Sequence, residues 1–366
     1  MSSSLSRIPP GVQYIFDREA RLRRWVEREV MDVFSGWSYS EIILPIFDYA
    51  DLFALGMGKA QAEKTYRFTG QDGKLLALRP ELTSLVARTV ATRLRESPRP
   101  LRLSYSGEVF RWDEPRGGRQ YEFHQIGLEH IGSDRLEADT EVLVVAIEAL
   151  RRLGLDDFRI TVGHVDFFHG IAEQLDLNSD ERLAMSEFID RRQVDRLEEF
   201  LKESERAPSH EALHSVVALS GGVEVISKAR ALATAPRSIS ALDDLEKVYD
   251  IAKAIGIERY LVIDLGDVGG LDYYTGLTFK IYVPGLGAAL GRGGRYDKLL
   301  EQFNLPEPAV GFSLCLDWLA QLLTSRINGG ASAGTAATRL NANQDLIYVF
   351  KEATRLRDAG AKVEIV

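Results

Sequence analysis

The chain has 366 residues and a net charge of −9, and 45% of its residues are hydrophobic and 27% charged. These values are typical of a soluble globular protein of two or three domains, and the acidic balance argues against binding nucleic acid through overall charge. A single cysteine excludes a disulfide within the chain, which fits a reducing cytosol. The N-terminal residues lack the apolar stretch of a signal peptide, and no run approaches the roughly 20 apolar residues of a membrane span. The sequence therefore predicts a cytoplasmic protein that does not enter a membrane.

Up to residue 165 the predicted elements alternate between helices with one apolar face and short strands. In chain order they are a helix over 18–34, strands at Ser40–Pro45 and Lys74–Leu78, a helix over 81–94, strands over 101–111 and 120–131, a helix over 135–153 and a strand at Phe158–Val162. The strands over 101–111 and 120–131 are joined by a loop rich in proline, glycine and arginine, so they are predicted to pair antiparallel.

The second half of the chain begins with a charged, mostly helical stretch and then returns to strands. The predicted elements are helices within 166–256, strands at Tyr260–Leu265, Leu277–Val283 and Ala309–Leu314, a helix after Gly294, a helix from Cys315 and a strand–helix–strand over 345–366. These patterns divide the chain into a core of residues 1–165 and 257–325, a helical insertion over 166–256, a flexible linker over 326–342 and a short C-terminal segment over 343–366.

The most informative strand is Tyr121–His130, with the sequence YEFHQIGLEH. Because strand side chains alternate, Gln125, Gly127 and Glu129 share one face, and Gln125 and Glu129 lie about 13 Å apart. A glycine between two polar groups leaves a floor that could hold a small zwitterion, one end taking an ammonium group and the other a donor such as an imidazole N–H. A solvated sheet face with an incidental glycine explains the same pattern equally well.

The segment His210-Glu-Ala-Leu-His214 fits the H-E-x-x-H pattern of zinc proteases. It follows Ser209, so both histidines would lie in the exposed first turn of a helix, and no later histidine is available as a third ligand. The sequence favours a solvated helix start with Ser209 as its N-cap, and no metal or cofactor is expected.

Several strings occur in the order in which the histidyl-tRNA synthetase family has them, and the chain resembles that family over roughly residues 9–320. They are Leu78–Thr83 (LRPELT), Val109–Arg111 (VFR), Phe123–Glu129 (FHQIGLE), Gly270–Gly276 (GLDYYTG), Gly293–Asp297 (GGRYD) and Val310–Phe312 (VGF). The segment Ile42–Phe47, which contains Pro45, resembles the first motif of class II synthetases, which forms their dimer. The resemblance implies an α+β, class II aminoacyl-tRNA synthetase-like fold, with an antiparallel sheet flanked by helices, and a homodimer.

The resemblance also implies a pocket for histidine, because the positions that hold the amino acid in the family are intact. They are Glu81, Thr83 and Gln125 for the α-ammonium group, Arg111 for the carboxylate, and Glu129 and Tyr274 for the imidazole, with Tyr273 beside them. Taken singly, Glu81 could serve the dipole of a helix and the tyrosines could be core residues. Their joint occurrence with the strand floor favours the pocket.

Three cations that serve ATP in the synthetases are missing. The family has arginine at the positions of Gly269, Glu114 and Trp318 in this chain. Because adenylate formation concentrates negative charge on a triphosphate, these losses disfavour activation of histidine by ATP. Arg119 and Arg292 remain and could compensate in part.

A full anticodon-binding domain is not expected, since only 48 residues follow Trp318 and many belong to the predicted linker. In both respects the chain is similar to the regulatory subunits of ATP phosphoribosyltransferase, a family of histidyl-tRNA synthetase paralogues in histidine biosynthesis. This resemblance implies a subunit without catalytic activity that binds free histidine for feedback inhibition and pairs with a short-form catalytic subunit. No tRNA partner is expected.

Two other functions stay open on the sequence alone. A genuine histidyl-tRNA synthetase would have to activate histidine despite the three substitutions. A free-standing histidine-binding protein, or an amino-acid ligase built on the same core, would share the pocket, and no motif distinguishes the surface that would contact a partner.

Overall fold

The structure is a computed structural model. It describes residues 8–9, 11–57, 64–112, 121–174, 177–190, 192–203, 219–268, 274–327, 338–341 and 346–366. The chain forms two compact units, Met1–Ala320 and Gln321–Val366. Within the described ranges, no helix combines the length and the apolar character that crossing a membrane requires.

The described strands of the first unit form two sheets. In chain order they are β1 (Ser40–Glu41), β2 (Phe47–Tyr49), β3 (Arg67–Thr69), β4 (Leu75–Leu78), β5 (Leu101–Phe110), β6 (Glu122–Ile131), β7 (Arg159–His164), β8 (Ser220–Gly221), β9 (Leu261–Asp264), β10 (Leu277–Tyr282), β11 (Gly291–Arg295) and β12 (Ala309–Cys315). The main sheet has the order β1-β5-β6-β12-β11-β10-β7-β9-β8, and the small sheet has the order β2-β4-β3. From β5 to β7 every neighbouring pair in the main sheet is antiparallel, as the resemblance implies.

The helices that precede residue 328 flank this sheet and fill the predicted insertion. They are α1 (Asp17–Gly36), α2 (Ala50–Met57), α3 (Thr83–Arg93), α4 (Leu136–Arg152), α5 (Val165–Gln174), α6 (Ser179–Asp190), α7 (Val194–Glu203), α8 (Glu224–Arg230), α9 (Pro236–Ala254) and α10 (Leu316–Ile327). Val26, Val30 and Phe34 recur every four residues and are fully buried, which explains why α1 packs along one side of the sheet.

The two faces of the main sheet differ in character. On the back face, α1 and α4 contact the strands, and Ser106 of β5 donates a hydrogen bond to Glu27 of α1. The front face is the one that carries Gln125, Gly127 and Glu129. It stays open to the segment that precedes α3.

Arg79 holds that segment against the front face. Its side chain is 4% exposed and donates to the carbonyl oxygens of Leu44 (2.7 Å) and Glu108 (2.6 Å). A Cβ atom at Gly107 would lie 2.3 Å from Nη2 of Arg79, so glycine is required where the guanidinium crosses β5. This contact fixes residues 79–83 beside the strand floor.

A buried ion pair on the back face fixes the end of β11. Arg295, at the end of β11, binds Asp139 of α4 with Nη2 and Oδ2 2.6 Å apart, and both side chains are almost fully buried. Arg295 also donates to the carbonyl oxygen of Ser133. The pair therefore sets the direction in which the chain leaves β11, and with it the position of Tyr296.

Two predicted elements are wrong. A helix was expected after Gly294, but β11 continues to Arg295 and is followed only by a short 3-10 helix at Leu300–Phe303. Each of residues 291–295 pairs with a residue of the antiparallel strand β12, and this pairing outweighs the helical preference of the local sequence.

In the second unit, the predicted strand at the start of 345–366 is instead the first turn of α11 (Leu346–Asp358). Its apolar run IYVF fits either element, but Val349 and Ala353 are buried at helical spacing. The strand that pairs with β14 (Val363–Ile365) is β13 (Thr338–Leu340), inside the predicted linker. The other predicted domain boundaries stay predictions.

Between 166 and 256 the described residues are mostly helical, as predicted. The exception is β8, which pairs with β9 and so joins the main sheet. The segment His210–His214 lies outside the described residues.

Candidate ligand-binding site on the front face

The floor of the site is β6, held between β5 and β12. Gly127 is opposite Tyr105 on one side and Ser313 on the other. A Cβ atom at Gly127 would lie 2.3 Å from the carbonyl oxygen of Phe312 and 2.9 Å from the hydroxyl of Tyr105. The glycine therefore lets both the β12 backbone and the Tyr105 side chain approach the strand closely.

Glu129 is the most enclosed polar group of the site, with 1% of its surface exposed. Tyr105 donates a hydrogen bond to Oε1 (3.0 Å), and Tyr296 donates to Oε2. A Cβ atom at Gly311 would lie 1.8 Å from Oε2, so the carboxylate occupies the space that this glycine leaves. Burial raises the pKa of Glu129 to about 7, although hydrogen bonds from Tyr296, Thr83 and Tyr105 oppose the rise.

Glu81 and Thr83 enter the site from the start of α3. The backbone N–H of Ser84 donates to both carboxylate oxygens of Glu81, at 3.2 and 3.0 Å. Burial raises the pKa of Glu81, and the Ser84 hydrogen bonds and the charge of Arg111 oppose the rise. The hydroxyl of Thr83 contacts Glu129, and the charge of Glu81 raises the pKa of Glu129 further. Two neighbouring carboxylates with little water around them favour a cationic ligand.

Arg111 and Gln125 lie at the end of the floor where β6 begins. The guanidinium carbon of Arg111 is 4.6 Å from the centre of the Phe123 ring, a cation–π contact. Nε2 of Gln125 donates to Oγ of Ser313 at 3.4 Å. Both side chains are partly exposed and within the site, so they can reach a ligand on the floor.

Tyr274 covers the opposite end. A Cβ atom at Gly294 would lie 2.9 Å from the Tyr274 ring, so the ring rests directly on β11. Burial raises the pKa of Tyr274 to about 12; the charge of Arg292 opposes this rise, and the charge of Glu129 adds to it. Its hydroxyl therefore stays protonated near neutral pH and can donate a hydrogen bond. Tyr273 lies outside the described residues.

The structure brings six of the seven residues of the predicted site together on the front face. They are Glu81, Thr83, Arg111, Gln125, Glu129 and Tyr274. Tyr105 and Tyr296, which hold Glu129, were not predicted. Pairing the strands over 101–111 and 120–131 places Tyr105 opposite Gly127, and this register was the signal that could have found it.

Of the positions that lack the synthetase cations, the structure describes one. Trp318 is half-buried in the first turn of α10. Its neighbour Asp317 accepts a hydrogen bond from the backbone of His124 (2.7 Å) and pairs with Arg23. Gly269, Glu114 and Arg119 lie outside the described residues.

A six-stranded antiparallel platform with buried acidic side chains on its front face defines a class II synthetase-like protein. Residues 11–319 match the family model described as histidyl-tRNA synthetase. The structure superposes on histidyl-tRNA synthetase from Nostoc with a TM-score of 0.78, at 20% identity and with coverage of 99% of this chain and 86% of that one. That likeness shows the fold.

Relatives of higher sequence identity show to which family within this class the chain belongs. The chain is 39% identical to the ATP phosphoribosyltransferase regulatory subunit of Moorella thermoacetica over 99% of this chain and 93% of that one. A Bacillus halodurans structure described as an ATP phosphoribosyltransferase regulatory subunit/histidyl-tRNA synthetase superposes with a TM-score of 0.88, at 28% identity over 99% of this chain and 92% of that one. The chain belongs to the family of ATP phosphoribosyltransferase regulatory subunits, which confirms the resemblance found in the sequence.

We predict that Glu129→Gln becomes more stable relative to the wild type as the pH rises. A carboxyl with a folded pKa of about 7 and an unfolded pKa near 4.5 binds a proton only in the folded state between these values. The free energy of unfolding of the wild type therefore falls as the pH rises through that window, while glutamine has no proton to lose. The difference between variant and wild type should grow by on the order of 2 kcal/mol from about pH 5 to about pH 7.5, measured by urea denaturation.

Glu137→Gln is the matched control, because Glu137 lies in the first turn of α4 and pairs with Arg135, an arginine that stays charged in this range. The hydrogen bond from Arg135 holds the pKa of Glu137 below its usual range, so the carboxylate is largely ionised over the window in both states. The stability difference between Glu137→Gln and the wild type should therefore change little over this range. A constant difference for Glu129→Gln as well would show that Glu129 is ionised in the folded protein at all of these pH values.

Proposed function

We propose that this chain is a regulatory subunit that binds free histidine on the front face and thereby inhibits a short-form catalytic subunit of ATP phosphoribosyltransferase. The observation that carries the proposal is the buried Glu129 carboxylate, which two tyrosine hydroxyls hold in place beside Glu81. The names of the relatives support the regulatory role, and the geometry supports the ligand.

Histidine matches the chemistry of the site at both ends. Its imidazole N–H can donate to Glu129, and the Tyr274 hydroxyl lies at the same end. Its α-ammonium group can meet Glu81, Thr83 and Gln125, of which Glu81 contributes a charge that burial leaves poorly solvated. A ligand that brings a cation and an N–H donor therefore relieves the repulsion between the two carboxylates.

The same site is poorly equipped to activate histidine. Activation brings the carboxylate of histidine against the α-phosphate of ATP, so cations must be in place before reaction. The chain has Gly269 and Glu114 at two positions where the synthetases have arginine, and the half-buried Trp318 at the third. We infer that the subunit binds histidine without making histidyl-adenylate and does not aminoacylate tRNA.

Inhibition of a partner requires that histidine bind more tightly to one state of the complex than to another. By linkage, the catalytic subunit must then change the affinity for histidine by the same factor. The coupling is tested by assaying a short-form catalytic subunit with and without this chain. Histidine should inhibit the catalytic subunit in the presence of this chain and should not inhibit the catalytic subunit alone.

We infer a homodimer through the Pro45 region and the neighbouring small sheet. This surface exposes large apolar side chains, of which Ile43 is 90% exposed and Phe47 is 51% exposed. Phe47 and Phe68 form an edge-to-face pair with ring centres 5.7 Å apart. A contiguous apolar surface of this kind marks a protein interface.

We predict that histidine binds with one molecule per chain and that Glu129→Gln or Tyr274→Phe weakens it. Loss of a hydrogen bond that involves a charged group costs about 1.5–3 kcal/mol, or roughly 10- to 150-fold in affinity. Isothermal titration calorimetry measures both quantities. Glu108→Gln changes a carboxylate on the back face and should leave the affinity unchanged. Absence of histidine binding to the wild type, alone and in complex with the catalytic subunit, would refute the pocket.

We predict no histidine-dependent ATP–pyrophosphate exchange. Loss of one preorganised stabiliser typically lowers a rate by about 10²–10³, and three positions have changed, so activity should be near background even if the effects are far from additive. A genuine histidyl-tRNA synthetase assayed in parallel is the positive control. Robust exchange would establish the chain as a synthetase.

We predict a dimer in light scattering at micromolar concentration, and a shift towards monomer in Ile43→Glu. A charge at this position would be buried without a partner if the surface forms the interface. Ile255→Glu changes a residue that is 52% exposed, on another part of the unit, and should stay dimeric. A wild type that is monomeric would contradict the proposed interface.

A further inference from the structure

The sheet register places Arg292 on the same face as the histidine site. Arg292 is opposite Ser313, which is opposite Gly127, and directly opposed residues share a face. Ser313 lies on the front face because its hydroxyl accepts a hydrogen bond from Gln125. Arg292 is therefore in the same row as Gly127, two strands or roughly 10 Å away, and its side chain is long enough to reach back over Ser313.

The adjacent row shows how a ligand would lie. It consists of Glu129, Gly311 and Gly294, with the Tyr274 ring resting on Gly294. An imidazole between Glu129 and Tyr274 occupies this row, so the α-carbon of the ligand falls over the next row, at the level of Gly127. Arg292 lies in that second row.

The charges on either side of the second row are opposite. Glu81 enters from the β5 side, where α3 begins, and Arg292 enters from β11 on the other side. The neighbouring cation, Lys280 of β10, pairs with Asp267. Arg292 is exposed, and within the described part of the chain it forms no ion pair. Of the two cations in this row, Lys280 is therefore neutralised by Asp267, whereas Arg292 is not neutralised by any described side chain.

We propose that Arg292 binds the α-carboxylate of the ligand and makes the site selective for the free amino acid. The proposal rests on the proposed function, because it assigns one end of the bound histidine. The α-carbon is tetrahedral, so an ammonium group directed towards Glu81 leaves the carboxylate directed towards β11. The sequence has Gly269 where the synthetases have an arginine, and Arg292 supplies a cation from β11. Arg111 faces Glu81 and the Phe123 ring, at the other end of the floor.

The test compares ligands with and without a carboxylate on Arg292→Met. Histidinol keeps the imidazole and the ammonium group of histidine but has no carboxylate. By calorimetry, Arg292→Met should lose roughly 10- to 150-fold in affinity for histidine, the range for one charged hydrogen bond, and change little for histidinol. Arg292→Lys keeps the charge without the planar fork and should fall between the wild type and Arg292→Met.

Lys280→Met is the matched control, since it removes a cation from the same row that Asp267 already neutralises. It should leave the preference for histidine over histidinol as in the wild type. An equal loss for histidine and histidinol in Arg292→Met would show that Arg292 shapes the site without binding the carboxylate, and an unchanged affinity for histidine would assign the carboxylate elsewhere. Either result overturns the proposal while histidine binding stands. A wild type that binds neither ligand refutes the histidine site itself, and this proposal with it.

Discussion

The site depends on one buried carboxylate. Glu129 receives hydrogen bonds from hydroxyl groups on three separate elements, namely Tyr105 on β5, Tyr296 after β11 and Thr83 at the start of α3. An ionised carboxylate in this position would be costly without such donors, and removal of a donor would leave a charge that water does not reach. The group therefore requires that the two strands and the helix keep their relative positions, and Arg79 and the Arg295–Asp139 pair maintain them.

The back face of the sheet provides the rigidity that this arrangement needs. His124 of β6 lies 2.6 Å from Oγ of Ser106, which in turn donates to Glu27 of α1. The backbone N–H of His124 donates to Asp317 of α10. These hydrogen bonds connect two helices to the strands that carry the front-face site. His124, which forms two of them, lies between Phe123 and Gln125 in the sequence. A ligand on the front face thus contacts a strand that cannot move independently of α1 and α10.

A site of this kind suits recognition better than catalysis. In the proposed function its carboxylates and tyrosines bind the imidazole and the ammonium group of histidine, which do not react in amino-acid activation. The positions at which the synthetases have cations for the triphosphate carry a glycine, a glutamate and a tryptophan in this chain. A site that binds an amino acid but lacks cations for the phosphates can use its binding energy to shift a conformational equilibrium, which is the role that we propose.

The sequence by itself determined the antiparallel strands, most of the helices and six of the residues that meet on the front face. Strand alternation is local, and the strings around Gln125, Glu129 and Tyr274 are specific enough to identify their family. What only the tertiary structure decided depends on pairing between distant segments. The Tyr105 hydroxyl reaches Glu129 because β5 pairs with β6, and the Tyr296 hydroxyl reaches it from the end of β11, on the far side of β12. Arg292 shares a row with Gly127 for the same reason, because β11 lies one strand beyond β12. The strand at 291–295 and the helix from Leu346 likewise followed non-local contacts, because a short apolar or glycine-rich run has no fixed period until its neighbours are in place.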